Sequence, residues 1–230
     1  MAKRPVYIPD LIGPTPVRVE NVEFEWFPGM SISQVQKSIS SLHESARKSL
    51  GIELVLDISR KSPIALGVNL SAFNLIIRTP KGKEFSVECA YQASKVFENG
   101  GPYTDILNLG SRDAKRDPRL NSSGRIVGFQ FYEHQWGLLP RHAFYNWLYL
   151  NALWRQLDLA ERLLEFQAFT DIVFNPEKSI NCQAHAAALF VSLFKKGLLT
   201  NATLASQEKF LAIAGNSLPE PVDIFSAGYP

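Results

Sequence analysis

Cysteine is almost absent from this chain: Cys89 and Cys182 are the only two in 230 residues, and they do not form a C-x-x-C pair. That excludes a secreted-type disulfide framework and a thiolate zinc site. Histidine is sparse as well. His43, His134, His142 and His185 are scattered without H-x-x-x-H spacing, so no metal is expected. No apolar run approaches the roughly 20 residues a helix needs to cross a bilayer. The basic start "MAKRPVYIPD" also lacks the apolar stretch of a signal peptide. The expectation is a cytoplasmic protein of a reducing compartment with no membrane partner. Charge of one sign is lacking too, with 24 Lys and Arg against 22 Asp and Glu, a net +2. Such a balance permits contact with nucleic acid without indicating it. There is no G-x-S-x-G elbow, P-loop or dinucleotide-binding G-x-G-x-x-G, and no cofactor is implied.

What is present is apolar bulk: 46% hydrophobic residues, with 15 Phe and 4 Trp, enough for a well-filled core. The pattern predicts one α+β domain over residues 1–230, mostly helical with a small β-sheet, in which 1–16 and 215–230 are peripheral. "VRVENVEFEWF" alternates as a half-buried strand. Ser31 with Gln34 opens a capping box, and Ile32, Val35, Ile39, Leu42 and Ala46 recur at helical spacing. A helix over 32–50, ended by Gly51, follows. "IELVLDIS" reads as a short buried strand, and "SPIALGVNLSAFNLIIRTPKG" as loop, then strand or turn. Val127, Phe129 and Phe131 alternate as another strand. "HAFYNWLYLNALWRQ" and "LDLAERLLEFQAF" read as helical, and "NCQAHAAALFVSLFKKG" as a buried central helix stopped by Gly197.

The stretch "FSVECAYQASKVFENGGPY" carries the chemistry. Ser86 is a candidate N-cap and "NGGP" a stop, which predicts a helix over about 87–99. At 100° per residue, Glu88, Tyr91, Gln92 and Lys95 then share one face, and Val87, Ala90, Ser94 and Phe97 another. The polar face has two readings: a solvated surface, or the floor of a site. Glu88 in the first turn is favoured by the helix dipole, and Lys95 is near enough to share one small ligand with it. Cys89 reads as a small buried hydrophobe. "SRDAKRDPR" holds Arg112, Lys115, Arg116 and Arg119, interrupted by Asp113 and Asp117, and reads either as a solvated loop or as a DNA-backbone contact.

"LSAFNL", "FSVECAYQASKVF" and "FTDIVFNPEKSINCQAHAAALF" together resemble the NADAR family. "EFEWFPGMSISQVQKSI", "ENGGPYTDIL" and "NPEKSINCQA" are similar to its DarT-associated antitoxin branch. The resemblance implies a glycohydrolase that removes ADP-ribose from guanine bases in DNA and restores what a DarT-type ADP-ribosyltransferase toxin has modified. The implied partners are ADP-ribosylated DNA, ADP-ribose and that toxin.

By the same resemblance the catalytic residues are Glu88, Lys95 and Asp171. Phe73, Asn74, Tyr91, Tyr103, Asn181 and Gln183 are the substrate-binding ones. Lys95 would attack the anomeric carbon as a neutral amine and pass through an imine with the opened ribose, while Glu88 shuttles protons. Alternatively a charged Lys95 acts as an electrostatic clamp while Glu88 activates water. From the residues alone, Phe73 also fits a core position, Tyr91 and Tyr103 fit internal hydrogen bonds, and Asp171 fits a turn cap. Two other functions stay open: an N-glycosidase acting on a ribosylaminopyrimidine of riboflavin synthesis, and a non-catalytic antitoxin that sequesters its toxin.

Overall fold

The structure, a computed structural model, describes residues 1–174 and 181–214. Its centre is a four-stranded sheet in the order β2-β1-β9-β3. β1 (Ala2–Pro9) and β2 (Val17–Phe24) pair antiparallel along their full length, from Ala2↔Phe24 to Pro9↔Val17. β1 also meets β9 (Ala168–Thr170) antiparallel at Tyr7↔Phe169, and β9 runs parallel to β3 (Val55–Asp57). The N-terminal segment expected at the periphery is therefore an inner strand, with Val6 fully buried. β9 corrects a second expectation. "LDLAERLLEFQAF" is helical only over α7 (Leu157–Leu163), and its last residues enter the sheet. Propensity loses there to pairing with two neighbouring strands.

Both faces of the sheet are covered. α1 (Ile32–Leu50) lies on one face, where Val35, Ile39, Leu42 and Ala46 meet Val6, Ile8, Val22, Phe24 and Ala168. This helix has the predicted bounds for the predicted reasons. Ser31 Oγ accepts from Gln34 N–H at 3.4 Å, and Gly51 turns left-handed at φ 66 to close on the Arg47 carbonyl. The opposite face presents Tyr7, Val17, Leu56 and Phe169 to the larger core. β2 alternates regularly, so Val17 and Val19 face the larger core while Val22 and Phe24 face the other.

That larger core is built on α6 (Ala143–Trp154) and α8 (Gln183–Lys195), which pack together. Every α8 residue from Ala184 to Leu193 is buried, as the run of small residues predicts. The remaining elements frame the site: α2 (Ala65–Asn69), the β4 (Ile76–Arg78) and β5 (Glu84–Ser86) hairpin, α3 (Val87–Ala93), β6 (Lys95–Phe97), α4 (Ser111–Lys115) and α5 (Arg119–Ser122). β7 (Ile126–Phe131) pairs with β6 and with β8 (His134–Trp136) in a three-stranded sheet. α9 (Asn201–Ala205) and α10 (Gln207–Ala214) close the described chain. The architecture is α+β, and the stretch read as loop before residue 70 contains α2 instead. The tail 215–230 lies outside the described residues.

Candidate active site

The helix expected over 87–99 is half that length. Ser86 caps it as predicted, accepting Cys89 N–H at 3.1 Å, but it ends at Ala93 with Ser94 as its C-cap. Ser94 turns its hydroxyl back onto the Ala90 carbonyl at 2.6 Å and gives its own carbonyl to Gln130 N–H at 2.7 Å. The chain then becomes β6, with Lys95 paired to Phe129. "NGGP" turns the strand rather than stopping a helix. Gly101 sits at φ +80, where a Cβ would lie 2.4 Å from the Lys95 carbonyl, so only glycine fits against the backbone of that lysine. Lys95 therefore does not share a helix face with Glu88; a strand delivers it.

The two side chains still meet one another's field. Glu88 is only 6% exposed. Its Oε1 accepts from Gln92 Nε2 at 2.9 Å and lies 3.9 Å from Lys115 Nζ. Gln92 Oε1, also buried, has no hydrogen-bond partner among the described residues. Lys95 Nζ stands 5.1 Å above the Tyr91 ring. Burial pulls its ammonium down to about 8; the Glu88 carboxylate opposes that shift and Lys115 adds to it. The solvated-face reading of Glu88 and Gln92 is excluded, because both are buried.

Tyr91 is held among Phe129, Phe144 and Tyr145, and its hydroxyl accepts from Asn181 Nδ2 at 2.6 Å. Phe73 is neither pure core nor free: its ring carries Arg60 at 4.4 Å and Lys115 at 5.4 Å. Asp171 and Gln183 form a second group at the C-terminal end of β9. Gln183 Nε2 donates to Asp171 Oδ2 at 2.9 Å and to the Ile58 carbonyl at 2.7 Å. Its Oε1 accepts Ala72 N–H at 2.7 Å, and the Ala72 carbonyl accepts Glu88 N–H at 2.8 Å. One peptide residue thus joins the two groups. Asp171 is raised to about 7, first by burial and then by the neighbouring Asp57 carboxylate.

Two expected residues are engaged elsewhere. Asn74 is exposed, and its amide donates to the Val68 carbonyl at 2.9 Å. Tyr103 shares a 2.5 Å hydrogen bond with Ser123 and lies beneath Arg119. The segment "NPEKSI" of the late polar turn falls outside the described residues.

Sequence reasoning missed Arg60, Asp57, His43 and Tyr145. Asp57, at the end of β3, accepts from Ser59 Oγ, Thr170 Oγ1 and Ile172 N–H and is raised by burial to about 6. Thr170 has one proton and gives it to Asp57, so His43 must donate through Nε2 across their 2.9 Å contact. Tyr145 is pushed well up, by burial first and then by Tyr149 and by charges that include Glu88 and Asp171. None of these has a local signal; only the fold brings them in.

Two surface concavities, of about 580 and 570 Å³, lie away from Glu88 and Lys95. The first is lined by Lys83, Asn108, Gln130 and Tyr132 and extends to Ser94, one residue short of Lys95; the second lies around Trp154 and Arg155. Among the described residues no cluster of His, Cys, Asp and Glu could hold a metal ion. No helix of the described chain is long and apolar enough to cross a membrane.

The mixed α+β domain buries Glu88 and places Lys95 within its electrostatic field. The family model for the DarT1-associated NADAR antitoxin matches residues 2–220, and the chain belongs to that family. No individually curated protein matches it significantly.

Proposed function

We propose that this antitoxin is an N-glycosyl hydrolase that removes ADP-ribose from guanine bases in DNA, with Glu88 and Lys95 as the reacting pair. The observation that carries this reading is the lysine whose burial lowers its pKa to about 8 beside a buried carboxylate. At about pH 7.5 roughly a quarter of such amines are neutral, against about a thousandth at the ordinary lysine value. That is the population a nucleophile needs.

In the reaction proposed, the Lys95 amine bonds to the anomeric carbon as the bond to the guanine exocyclic nitrogen breaks. Glu88 takes the proton the amine sheds and passes it to the departing nitrogen, so guanine leaves neutral. The ribose ring opens as its oxygen gains a proton and the lysine nitrogen loses one, which gives an imine. Water then adds at the same carbon, the amine leaves, and ADP-ribose is released. Gln92 holds Glu88 in place through its amide N–H. Asn181 holds the Tyr91 hydroxyl beneath Lys95, and Gln183 fixes Asp171 and the Phe73 loop. The link to a DarT1 toxin follows from the family; the DNA adduct as substrate is the proposal.

The test uses purified protein and an oligonucleotide carrying ADP-ribosylguanine. We expect free ADP-ribose and restored guanine, and a fall of about 10²- to 10⁴-fold in Glu88→Gln and Lys95→Ala. Borohydride trapping of the wild type, lost in Lys95→Ala, would mark the imine. Full rates in both variants would sink the assignment. Rescue of toxin-expressing cells by both dead variants would favour sequestration.

A further inference from the structure

The basic stretch around α4 is sorted by the fold. Arg119 is neutralised, with Asp105 and Asp117 each at 2.7 Å. Lys115 instead points to the site, with Nζ 3.9 Å from Glu88 Oε1 and 5.4 Å from the Phe73 ring centroid. Arg60, which follows β3, sets its guanidinium 4.4 Å from the same ring. Among the described residues Arg60 meets no carboxylate within 4 Å, and Lys115 meets Glu88 alone. Both are exposed, Lys115 by 59% of its side chain.

Their placement is built. Ser111 Oγ, at the start of α4, donates to the Phe73 carbonyl at 2.7 Å and shares a 2.8 Å hydrogen bond with the Ser86 cap of α3. That pins the end of the loop, the ring and the lysine's helix to the helix that carries Glu88. An aromatic ring orients cations without neutralising them, so the pair keeps its capacity for an anion. A forked guanidinium beside an ammonium suits phosphate oxygens.

We propose that Arg60 and Lys115, ordered on Phe73, form an anion rim that binds a phosphate group of the substrate. It rests on the functional reading above. That phosphate belongs either to the diphosphate of ADP-ribose or to the DNA backbone.

ADP-ribose, inorganic pyrophosphate and an unmodified single-stranded oligonucleotide are titrated into full-length wild type, Arg60→Ala, Lys115→Ala and the double variant. Thermal melts confirm that each is folded. If the diphosphate is bound, ADP-ribose weakens about tenfold per cation removed, pyrophosphate ceases to compete, and the oligonucleotide is unaffected. If the backbone is bound, the oligonucleotide weakens instead, and its salt slope falls by about 0.7 per cation. Arg60→Lys and Lys115→Arg keep most of the binding in either case. Binding to all variants within twofold of wild type overturns the rim while leaving the hydrolase reading intact. A wild type that binds none of the three probes removes both.

Discussion

Around Glu88, polar groups outnumber their protein partners, whereas around Asp57 and Asp171 each carboxylate oxygen has a donor. Gln92 ends on an unpartnered oxygen, Lys95 rests on an aromatic ring, and Arg60 and Lys115 share another ring. A few residues away, Asp57 takes three hydrogen bonds, and Asp171 is tied to Gln183 and to Val173 N–H. Both regions bury acids at a cost in desolvation. One, the frame, offsets the cost with internal hydrogen bonds, while the other leaves a buried amide oxygen without a partner among the described residues.

The comparison breaks most sharply at Lys95. Lys95→Ala should abolish hydrolysis, yet leave the melting temperature equal or higher, because a desolvated amine is removed rather than a hydrogen bond lost. A large drop in melting temperature would make Lys95 part of the frame. Asp57→Ala should do the reverse. It strands the donors from Ser59, Thr170 and Ile172, costs about 3 kcal/mol, and lowers Tm by roughly 6–12 °C, as read by calorimetry.

The pH profile then separates the two roles open to Lys95. Its pKa lies below the ordinary value, so the neutral amine gains as pH rises and saturates above about 8. A nucleophile predicts a single-turnover rate climbing about tenfold between pH 6 and 7, whereas a charged clamp predicts a fall above 8. Smallest should be Tyr103→Phe, which loses one hydrogen bond to Ser123. About 1 kcal/mol of stability goes, with kcat and ADP-ribose affinity unchanged.

How far these regions could be read in advance depended on how local their causes are. α1 was legible to the residue, because Ser31, the apolar spacing and Gly51 all lie within the helix or at its ends. So was α8, from its small apolar run. β1 was hidden by its prolines and β9 by the helical pattern before it, since both owe their state to partners distant in sequence. Helical spacing placed Glu88, Tyr91 and Gln92 on one helix but misplaced Lys95, because the break at Ser94 depends on Gln130 N–H, thirty-six positions downstream. Arg60, Asp57 and His43 have no motif at all and enter only through the sheet ends.

The contact at Ala72 has a practical outcome. Frame and Glu88 are linked through residue 72, whose N–H and C=O, on successive peptide groups, are both taken, while its methyl packs in the larger core. A mutational scan would therefore report that position as sensitive to bulk alone. Severing the link takes a change to the backbone itself, such as replacing the Ala72 N–H with an ester oxygen, which frees Gln183 Oε1 while leaving the Ala72 carbonyl to Glu88 N–H.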